Sequence, residues 1–286
     1  MIFRTRFAPS PTGPLHLGHA YSALLAHDLA RTYSGQFFLR MDDIDQSRAR
    51  GHWAEQIKDD LTWLGITWDG PVWSQNARSD NYTKALRRLW DLGLLYPCGC
   101  SRADIKAAAN APQEGAPVLG PDGVVYPGTC RHIPKGTFQT DTPLRLNIKK
   151  ALQIIDLQSI ILTEGDESYQ RTAPQIIESI GDVVLLRKNM GTSYHLSIVI
   201  DDADQGITDV IRGKDLREAT FIHILLQKIL ELHTPKYFHH PLIRDENGKR
   251  LAKRDDARAI SKYRDEGLTR NDIRSKVGLD AKTLAT

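Results

Sequence analysis

Cysteines are scarce in this 286-residue chain, and long apolar runs are missing altogether. The three cysteines are an odd number, which argues against a framework of paired disulfides. No apolar stretch approaches the length of a membrane span, and the first residues lack the apolar core of a signal peptide. Internal repeats and low-complexity tracts are also missing. We therefore expect a globular protein of the cytoplasm that does not enter a membrane.

The chain as a whole has little excess of either charge sign. It contains 38 Lys and Arg residues and 35 Asp and Glu residues, for a formal net charge of +3. Residues 244–276 differ, with 11 basic and 7 acidic residues. Such a stretch permits a nucleic-acid partner, but basic tails often serve only solubility, and composition favours neither alternative. At 32.2 kDa the chain can bury a large core, as one domain with an insertion or as two domains.

A turn between a strand and a helix carries the first candidate site. Residues 2–7 have the pattern of a buried strand, and residues 17–31 have apolar side chains at helical spacing. The proline- and glycine-containing turn between them ends in His16, Gly18 and His19. A helix N-terminus binds anions, so both imidazoles are candidates for donating to phosphate oxygens, and Gly18 leaves room for a nucleotide. Two ordinary surface histidines are the alternative.

A basic segment near the end of the chain is the second candidate. Residues 248–254 read Gly-Lys-Arg-Leu-Ala-Lys-Arg, in which small or apolar residues separate the cations. We predict that Lys253 and its neighbours form a cationic clamp that completes one ATP site together with the histidine turn. An ordinary solvated basic turn is the alternative for this segment.

The remaining pattern predicts an α/β fold with a Rossmann-like parallel sheet. Residues 37–41 read as a second parallel strand that carries Asp42 and its acidic neighbours at its C-terminal end. The later predicted elements are helices at residues 51–64, 79–92 and 216–232 and strands at residues 144–148, 160–162, 183–186 and 210–212. We predict three parts: a Rossmann-like catalytic domain (1–95 and 189–243), an inserted α+β domain with a zinc site (96–188), and a basic signature loop with a short helical tail (244–286).

All three cysteines lie in the predicted insertion. Cys98 and Cys100 flank a glycine, and Cys130 comes from a distant loop. Three thiolates in this arrangement suit tetrahedral zinc, with Tyr126 or, failing that, His132 as the fourth ligand. Three unrelated reduced thiols are the alternative. We predict one structural zinc ion.

In order and spacing, the motifs of this chain resemble the catalytic half of the class I glutamyl-tRNA synthetases. They are residues 6–13 (Arg-Phe-Ala-Pro-Ser-Pro-Thr-Gly), 16–19 (His-Leu-Gly-His), 39–45 (Leu-Arg-Met-Asp-Asp-Ile-Asp), 194–196 (Tyr-His-Leu), 201–202 (Asp-Asp), 206–212 (Gly-Ile-Thr-Asp-Val-Ile-Arg) and 251–254 (Leu-Ala-Lys-Arg). Full synthetases continue into a helical anticodon-binding region, whereas this sequence stops at Thr286. It therefore resembles the shorter paralogous family, the glutamyl-Q tRNA(Asp) synthetases, which the cysteine and tyrosine pattern also fits.

The resemblance implies a ligase that activates L-glutamate with ATP without needing tRNA and then esterifies the queuosine of tRNA(Asp) with it. ATP with Mg²⁺, one zinc ion and a cytoplasmic, monomeric state are implied as well. The positions that match the glutamate site are Arg6, Phe7, Ala8, Pro9, Ser10, Asp42, Tyr194 and Arg212. Those that match the ATP site are Pro9, His16, Gly18, His19, Arg250, Leu251, Lys253 and Arg254. The matching catalytic residues are His16, His19 and Lys253, and the matching zinc ligands are Cys98, Cys100, Tyr126 and Cys130.

Three departures from the family pattern qualify this assignment. Asp42 replaces the usual glutamate and is one methylene shorter, which favours a water-bridged contact to the substrate ammonium. Arg250 and Ala252 replace a lysine and a serine of the basic segment, so one hydroxyl donor is lost. Ile198 stands where some full synthetases have an asparagine, and we expect weaker amino-acid binding from it.

Three other functions stay open on sequence grounds. Nucleotidylyltransferases share the His-x-Gly-His turn, but they lack the glutamate-shaped set of Arg6, Asp42, Tyr194 and Arg212. A catalytically idle tRNA-binding module would have no need of the histidines and Lys253. A short glutamyl-tRNA synthetase that charges tRNA(Glu) is the third alternative.

Overall fold

The computed structural model describes residues 2–109, 118–134, 136–243 and 258–279. Two compact units make up the chain. The first contains Met1–Ala77, Gly206–Asp215 and Pro235–Thr286, and the second contains Arg78–Gln205 and Leu216–Thr234. Each unit is thus assembled from separate stretches of sequence. These boundaries differ from the predicted division into three parts, and that division stays a prediction about functional domains.

Helices and strands alternate through much of the chain. The helices are α1 (Leu17–Thr32), α2 (Gly51–Trp63), α3 (Ser79–Asp91), α4 (Arg102–Ala109), α5 (Ile148–Ile154), α6 (Ala173–Ser179), α7 (Tyr194–Asp204), α8 (Arg217–Ile229), α9 (Ile260–Asp265) and α10 (Arg270–Lys276). The strands are β1 (Arg4–Phe7), β2 (Gln36–Met41), β3 (Trp73–Ser74), β4 (Leu95–Pro97), β5 (Leu119–Gly120), β6 (Gly123–Val124), β7 (Leu144–Leu146), β8 (Ser159–Glu164), β9 (Glu167–Thr172), β10 (Val184–Leu186), β11 (Asp209–Gly213) and β12 (Lys236–His240). Within the described ranges, no helix has the length and apolar content that crossing a membrane requires.

The first unit contains the three strands that the sequence predicts, β1, β2 and β11, and two that it does not, β3 and β12. β1 pairs with β2 from Arg4 opposite Gln36 to Phe7 opposite Leu39, and β2 pairs in parallel with β3. β11 pairs in parallel with β12, and Thr208, just before β11, donates its N–H to the carbonyl of Arg4 (2.9 Å). Because parallel strands end at the same edge of a sheet, the residues that follow β1 and β2 come together there.

Helix α1 packs on this sheet through small residues. Ala20, Ala23 and Ala30 are completely buried, and they belong to the same apolar cluster as Phe37 and Leu39 of β2. Alanine side chains let a helix approach a sheet closely. The short turn before α1 therefore holds the helix N-terminus next to the end of β1.

Helix α2 carries a buried carboxyl group. Asp60 is 1% exposed, and its Oδ2 atom has no hydrogen-bond partner among the described residues. Burial raises the pKa of Asp60 to about 6, with help from the charges of Asp59 and Asp265 and against the charge of Arg264. The folded chain therefore binds this proton more tightly than the unfolded chain, in which an aspartate pKa is about 4.

Replacing Asp60 by asparagine should stabilise the protein at pH 7 and have little effect near pH 4. Because the folded pKa is raised, ionisation of Asp60 lowers the free energy of unfolding as the pH rises through about 6. Asparagine cannot ionise, so the variant should have a free energy of unfolding about 1–3 kcal/mol higher at pH 7, measured by urea unfolding. Asp166→Asn, at the exposed turn between β8 and β9, is the matched control. An equal effect of Asp60→Asn at both pH values would contradict the prediction.

The second unit combines a small antiparallel sheet with two hairpins. β7 lies between β10 and β4, and β5–β6 and β8–β9 form the hairpins. The predicted strand at residues 144–148 is wrong at its end, because β7 stops at Leu146. The side chain of Asn147 accepts the N–H of Lys150 and caps α5, so Ile148 begins a helix instead.

A buried ion pair joins α7 to the start of α3 in the second unit. The carboxylate of Asp201 is completely buried and accepts from Nε of Arg78 (2.7 Å) and from the hydroxyl of Tyr82 (2.9 Å to Oδ2). Losing one partner of such a pair leaves an uncompensated buried charge, which is strongly destabilising. The first aspartate of the motif at residues 201–202 therefore holds α7 in place.

Candidate active site

Two histidines cap the N-terminus of helix α1. His16 is the N-cap residue, and its Nδ1 accepts the N–H of Gly18 (3.1 Å), while Nδ1 of His19 accepts the N–H of His16 (3.3 Å). The two rings stack with their centroids 3.8 Å apart. Because each Nδ1 accepts a backbone N–H, each neutral ring carries its proton on Nε2. The turn thus fixes two imidazoles in the tautomer that donates from Nε2.

Gly18 is required by the ring of His16. A Cβ atom at position 18 would lie 3.1 Å from Cε1 and 3.2 Å from Nδ1 of that ring, closer than ordinary van der Waals contact. The sequence predicts that Gly18 leaves room for a nucleotide. The structure adds a second reason, because a larger residue would shift the His16 ring by a few tenths of an ångström from its position in the cap.

The described residues that flank the basic segment attach to the same turn and helix. On one side, Ala259 forms an antiparallel bridge with His16. On the other side, His240 at the end of β12 hydrogen-bonds through Nε2 to the hydroxyl of Ser22 in α1 (2.7 Å). The predicted ATP-site residues of the segment itself, Arg250, Leu251, Lys253 and Arg254, and the departure Ala252 lie outside the described residues.

Asp42, at the end of β2, is paired with a buried arginine. Its carboxylate Oδ1 accepts from Nε of Arg40 (3.1 Å), whose side chain is completely buried. The N–H of Asp42 also donates to the carbonyl of Pro9 (2.9 Å), which ties the end of β2 to the turn before α1. The sequence reasoning missed Arg40, although it lies two residues before Asp42, the spacing that places side chains on one face of a strand.

The other acidic residues after β2 stabilise local turns. Asp43 accepts from the hydroxyl of Ser74 (2.7 Å) and from the N–H of Asn76 (2.9 Å). Asp45 accepts from the hydroxyl of Ser47 (2.5 Å). These contacts give Asp43 and Asp45 structural roles in the loop that follows the strand.

Two buried arginines lie on strands of the first unit. Arg6 in β1 is 4% exposed, and Arg212 in β11 is 6% exposed. Nε of Arg212 donates to Nε2 of His239 in β12 (3.1 Å), and its guanidinium lies 5.2 Å from the ring centroid of Tyr237. Guanidinium groups bind carboxylates with a planar pair of donors, so these arginines suit a substrate with carboxylates. The sequence analysis did not identify His239 and Tyr237. They lie two residues apart on one strand, the spacing that places side chains on the same face.

The remaining glutamate-site candidates are divided between the units. In the first unit, Phe7 and Pro9 are buried, Ala8 is half-buried and Ser10 is exposed. Tyr194 belongs to the second unit, where it is the half-buried first residue of α7. Ile198, one turn further along α7, is 4% exposed.

Three cysteines and one tyrosine come together in the second unit. The Sγ atoms of Cys98, Cys100 and Cys130 all lie within 4.8 Å of one another. The hydroxyl of Tyr126 lies 3.4 Å from Sγ of Cys98 and 3.6 Å from Sγ of Cys100. His132 is exposed and is not part of this group of ligand atoms. Three neighbouring thiols are ligands of the type that structural zinc sites use, and the hydroxyl of Tyr126 lies beside them.

A buried arginine contacts Cys98 and Tyr126 of this cluster. Arg145 is 7% exposed, its Nε donates to Sγ of Cys98 (3.2 Å), and its guanidinium lies 3.9 Å from the ring centroid of Tyr126. Burial works to raise the pKa of the Cys98 thiol, but hydrogen bonds from Tyr126 and Arg145 outweigh it, and the pKa lies below its usual value. The thiolate that this favours is the form that binds metals.

Sequence comparisons identify relatives along almost the whole chain. Residues 2–283 match the family model described as "tRNA synthetases class I (E and Q), catalytic domain". A glutamyl-Q tRNA(Asp) synthetase of Rhodobacter capsulatus is 56% identical over 279 residues, which cover 96% of this chain and 99% of that protein. One of Geobacter sulfurreducens is 38% identical and covers 93% of this chain and 79% of that protein.

Solved structures share the fold at low sequence identity. A glutamate tRNA ligase of Elizabethkingia meningosepticum, in complex with its amino acid, matches with a TM-score of 0.75 and 23% identity. A methionyl-tRNA synthetase of Mycobacterium tuberculosis, bound by methionyl-adenylate, matches with a TM-score of 0.59 and 11% identity. Both matches cover at least 96% of this chain, but only 61% and 64% of the solved chains. At these identities the likeness shows the fold alone.

Proposed function

This chain belongs to the class I tRNA synthetases of the E and Q family, among the glutamyl-Q tRNA(Asp) synthetases, and from this premise we propose its reaction. The enzyme activates L-glutamate with ATP to glutamyl-adenylate without tRNA and transfers the glutamate to the queuosine of tRNA(Asp). The observation that carries the proposal is the stacked pair of His16 and His19, held with Nε2 protonated at the N-terminus of α1.

In the first step, the α-carboxylate of glutamate attacks the α-phosphorus of ATP, and pyrophosphate leaves as the bond to the β-phosphate oxygen breaks. Negative charge grows on the phosphate oxygens during this displacement. Nε2–H groups of His16 and His19 donate to these oxygens, and the positive end of the α1 dipole adds to the stabilisation. Mg²⁺ bound with ATP neutralises phosphate charge. By the family resemblance, stabilisation of the departing pyrophosphate is assigned to Lys253, and Arg250, Leu251 and Arg254 are assigned to ATP binding; all four lie outside the described residues.

Glutamate is held by groups of opposite charge. Arg6 and Arg212 bind its side-chain carboxylate, and buried guanidinium groups do so with paired, charge-assisted donors. Asp42 receives the α-ammonium, and Arg40 fixes the direction of one oxygen of that carboxylate. Tyr194 contributes a hydroxyl contact. Phe7, Ala8, Pro9 and Ser10 shape the turn around the substrate.

In the second step, a hydroxyl of the queuosine cyclopentenediol attacks the carbonyl carbon of the adenylate. An ester bond forms, the bond between the carbonyl carbon and the phosphate oxygen breaks, and AMP leaves with the electron pair of that bond. No protein nucleophile is needed, so the contribution of the protein is positioning and charge stabilisation. The proposal includes a monomeric enzyme of the cytoplasm, and the basic residues within 244–276 suit a tRNA partner.

One zinc ion belongs to the proposal as a structural element of the second unit. Cys98, Cys100, Cys130 and Tyr126 would hold it, since their ligand atoms lie together and Arg145 offsets their negative charge. A bound zinc ion would cross-link the loops that carry these residues. The zinc-containing insertion predicted at residues 96–188 is proposed on the same grounds.

Replacing Gly18 by alanine should weaken both the helix cap and the reaction. The added Cβ shifts the His16 ring by a few tenths of an ångström, which weakens the bond that the ring accepts from the N–H of residue 18 and costs at most about 1 kcal/mol of unfolding free energy, the value of a whole cap. Because Nε2 of His16 moves with the ring, we expect glutamate-dependent exchange to fall at least about 10-fold. Urea unfolding and exchange rates measure the two effects. Gly51→Ala, with open space around its Cβ position, is the control.

The proposed function is tested by glutamate-dependent exchange between ATP and radiolabelled pyrophosphate without tRNA. We expect exchange with glutamate and none with glutamine, because two arginines favour a side-chain carboxylate over a neutral amide. Exchange that needs a small phosphorylated substrate in place of an amino acid would favour a nucleotidylyltransferase. Absence of exchange in a folded preparation would favour the idle tRNA-binding module and contradict the proposal.

A further inference from the structure

A line of three polar side chains connects three elements of the second unit. Oδ1 of Asp122 lies 3.0 Å from Nε2 of His195, and Nδ1 of His195 lies 3.1 Å from Nε2 of His223. Asp122 occupies the turn between β5 and β6, His195 is the second residue of α7, and His223 lies within α8. We call these residues the Asp-His-His array.

The geometry sets the direction of the hydrogen bonds in the array. Burial works to raise the pKa of Asp122, but the hydrogen bond from His195 and nearby basic groups outweigh it and hold the pKa below its usual value. The carboxylate therefore accepts, and Nε2 of His195 is the donor. In a neutral His195 ring, Nδ1 then accepts from Nε2–H of His223. Each imidazole is thus held in one tautomer and one orientation.

The two histidines of the array are almost inaccessible to solvent. His195 is 4% exposed and His223 is 1% exposed. Buried polar groups are costly unless they are hydrogen-bonded, and a satisfied buried network makes its surroundings rigid. The buried His195–His223 pair therefore joins the start of α7 to α8 through a directional bond, and Asp122, whose side chain is 39% exposed, adds a bond from the β5–β6 turn.

Tyr194 packs directly on the array. The centroid of its ring lies 5.6 Å from that of His195 and 5.8 Å from that of His223, with interplanar angles of 64° and 68°. Edge-on contacts of this kind favour one ring orientation. The two imidazoles that contact the ring are the same two that the hydrogen bonds hold still.

We propose that the Asp-His-His array is a positioning device that holds the hydroxyl of Tyr194 in place for the amino-acid substrate. The inference rests on the proposed function, in which this hydroxyl contacts glutamate. Asp122 touches no substrate and acts through His195 and His223. Removing the Asp122 carboxylate should therefore weaken glutamate binding and leave ATP binding unchanged.

The test measures KM for glutamate and for ATP in tRNA-independent exchange, using the full chain. Asp122→Ala removes the acceptor, and we expect KM for glutamate to rise about 10-fold, with KM for ATP unchanged. Asp122→Asn keeps an oxygen that accepts from His195, so its KM should lie between those of the native chain and Asp122→Ala. Asp166→Ala, at the exposed β8–β9 turn, is the matched control and should match the native chain. Circular dichroism verifies the fold of each variant.

A double variant tests whether the array acts through Tyr194. In a Tyr194→Phe background, which lacks the hydroxyl, Asp122→Ala should add no further rise in KM for glutamate. A full 10-fold rise in that background, or a rise in KM for ATP of the same size, would overturn the array as a positioning device. The array would also be overturned as a positioning device if Tyr194→Phe raised KM for glutamate and Asp122→Ala left that KM at the native value. Absence of glutamate-dependent exchange in the native chain would instead remove the proposed function and, with it, this inference.

Discussion

Replacing His19 by asparagine should lower glutamate-dependent exchange by about 100-fold or more while leaving the stability of the protein nearly unchanged. Nδ1 of His19 accepts the N–H of His16 and completes the cap of α1. The Oδ1 atom of asparagine takes the place of Nδ1 and can accept the same N–H, so the cap remains. The Nε2 donor has no counterpart in asparagine, and a lost preorganised donor to a developing charge typically costs about 10²–10³ in rate.

His19→Gln is the matched counterpart, because a glutamine at this helix position can accept the N–H of His16 through Oε1, as Gln175 does for Thr172 in α6, and also offers an amide N–H donor. We expect this variant to keep more of the exchange rate than His19→Asn and to have nearly native stability. Exchange kinetics and urea unfolding on both variants separate the two roles of the ring. The opposite order, with His19→Asn the more active variant, would contradict the assignment of Nε2 to the phosphate.

Replacing Cys130 by serine should release the proposed zinc ion and destabilise the second unit. The Sγ atom of Cys130 lies 3.4 Å from that of Cys100, and the hydroxyl of Tyr126 accepts the N–H of Cys130 (2.8 Å). Serine replaces one of the three soft, charged thiolates with a hydroxyl, which binds zinc weakly. Because the binding energy of a structural zinc ion contributes directly to folding, losing the ion also destabilises the protein. We expect the zinc content to fall from about one ion per chain to near zero. We also expect the free energy of unfolding to fall by at least several kcal/mol.

Two further variants decide the fourth zinc ligand. His132→Ala should keep the full zinc content, because His132 lies outside the cluster of ligand atoms. Tyr126→Phe should bind zinc about 10-fold or more weakly, because only its hydroxyl is removed. Metal analysis after dialysis against a chelator measures all three variants. Loss of zinc in His132→Ala with retention in Tyr126→Phe would reverse the assignment, and zinc-free native protein with unchanged stability would remove the site.

The N-terminal half of the site could be predicted from the sequence because its signals are local. The strand at residues 4–7, the proline-containing turn and the helix from residue 17 each depend on neighbours a few positions away. The parallel strand at residues 36–41 was predictable for the same reason, since an apolar run between a glycine and an acidic cluster has few other interpretations. Helix propensity and capping then give the boundaries to within a residue or two.

The partners of the site residues could not be predicted, because distant segments supply them. His239 contacts Arg212 only because β12 pairs with β11 in a particular register, which the sequence between them does not reveal. In the same way, Asp122 meets His195 across a gap of 73 positions. The sequence preferred Tyr126 to His132 as the fourth ligand but left both open, and the folded loop brings the tyrosine hydroxyl to the sulphurs.

Charging of tRNA(Asp) with radiolabelled glutamate tests the central claim most directly. Native enzyme, ATP and glutamate would be incubated with tRNA(Asp) that contains queuosine, with the same tRNA lacking queuosine, and with tRNA(Glu). The account predicts acid-precipitable label on the queuosine-containing tRNA alone. Equal label on tRNA(Asp) without queuosine, or label on tRNA(Glu) instead, would contradict it and indicate a short tRNA-charging synthetase.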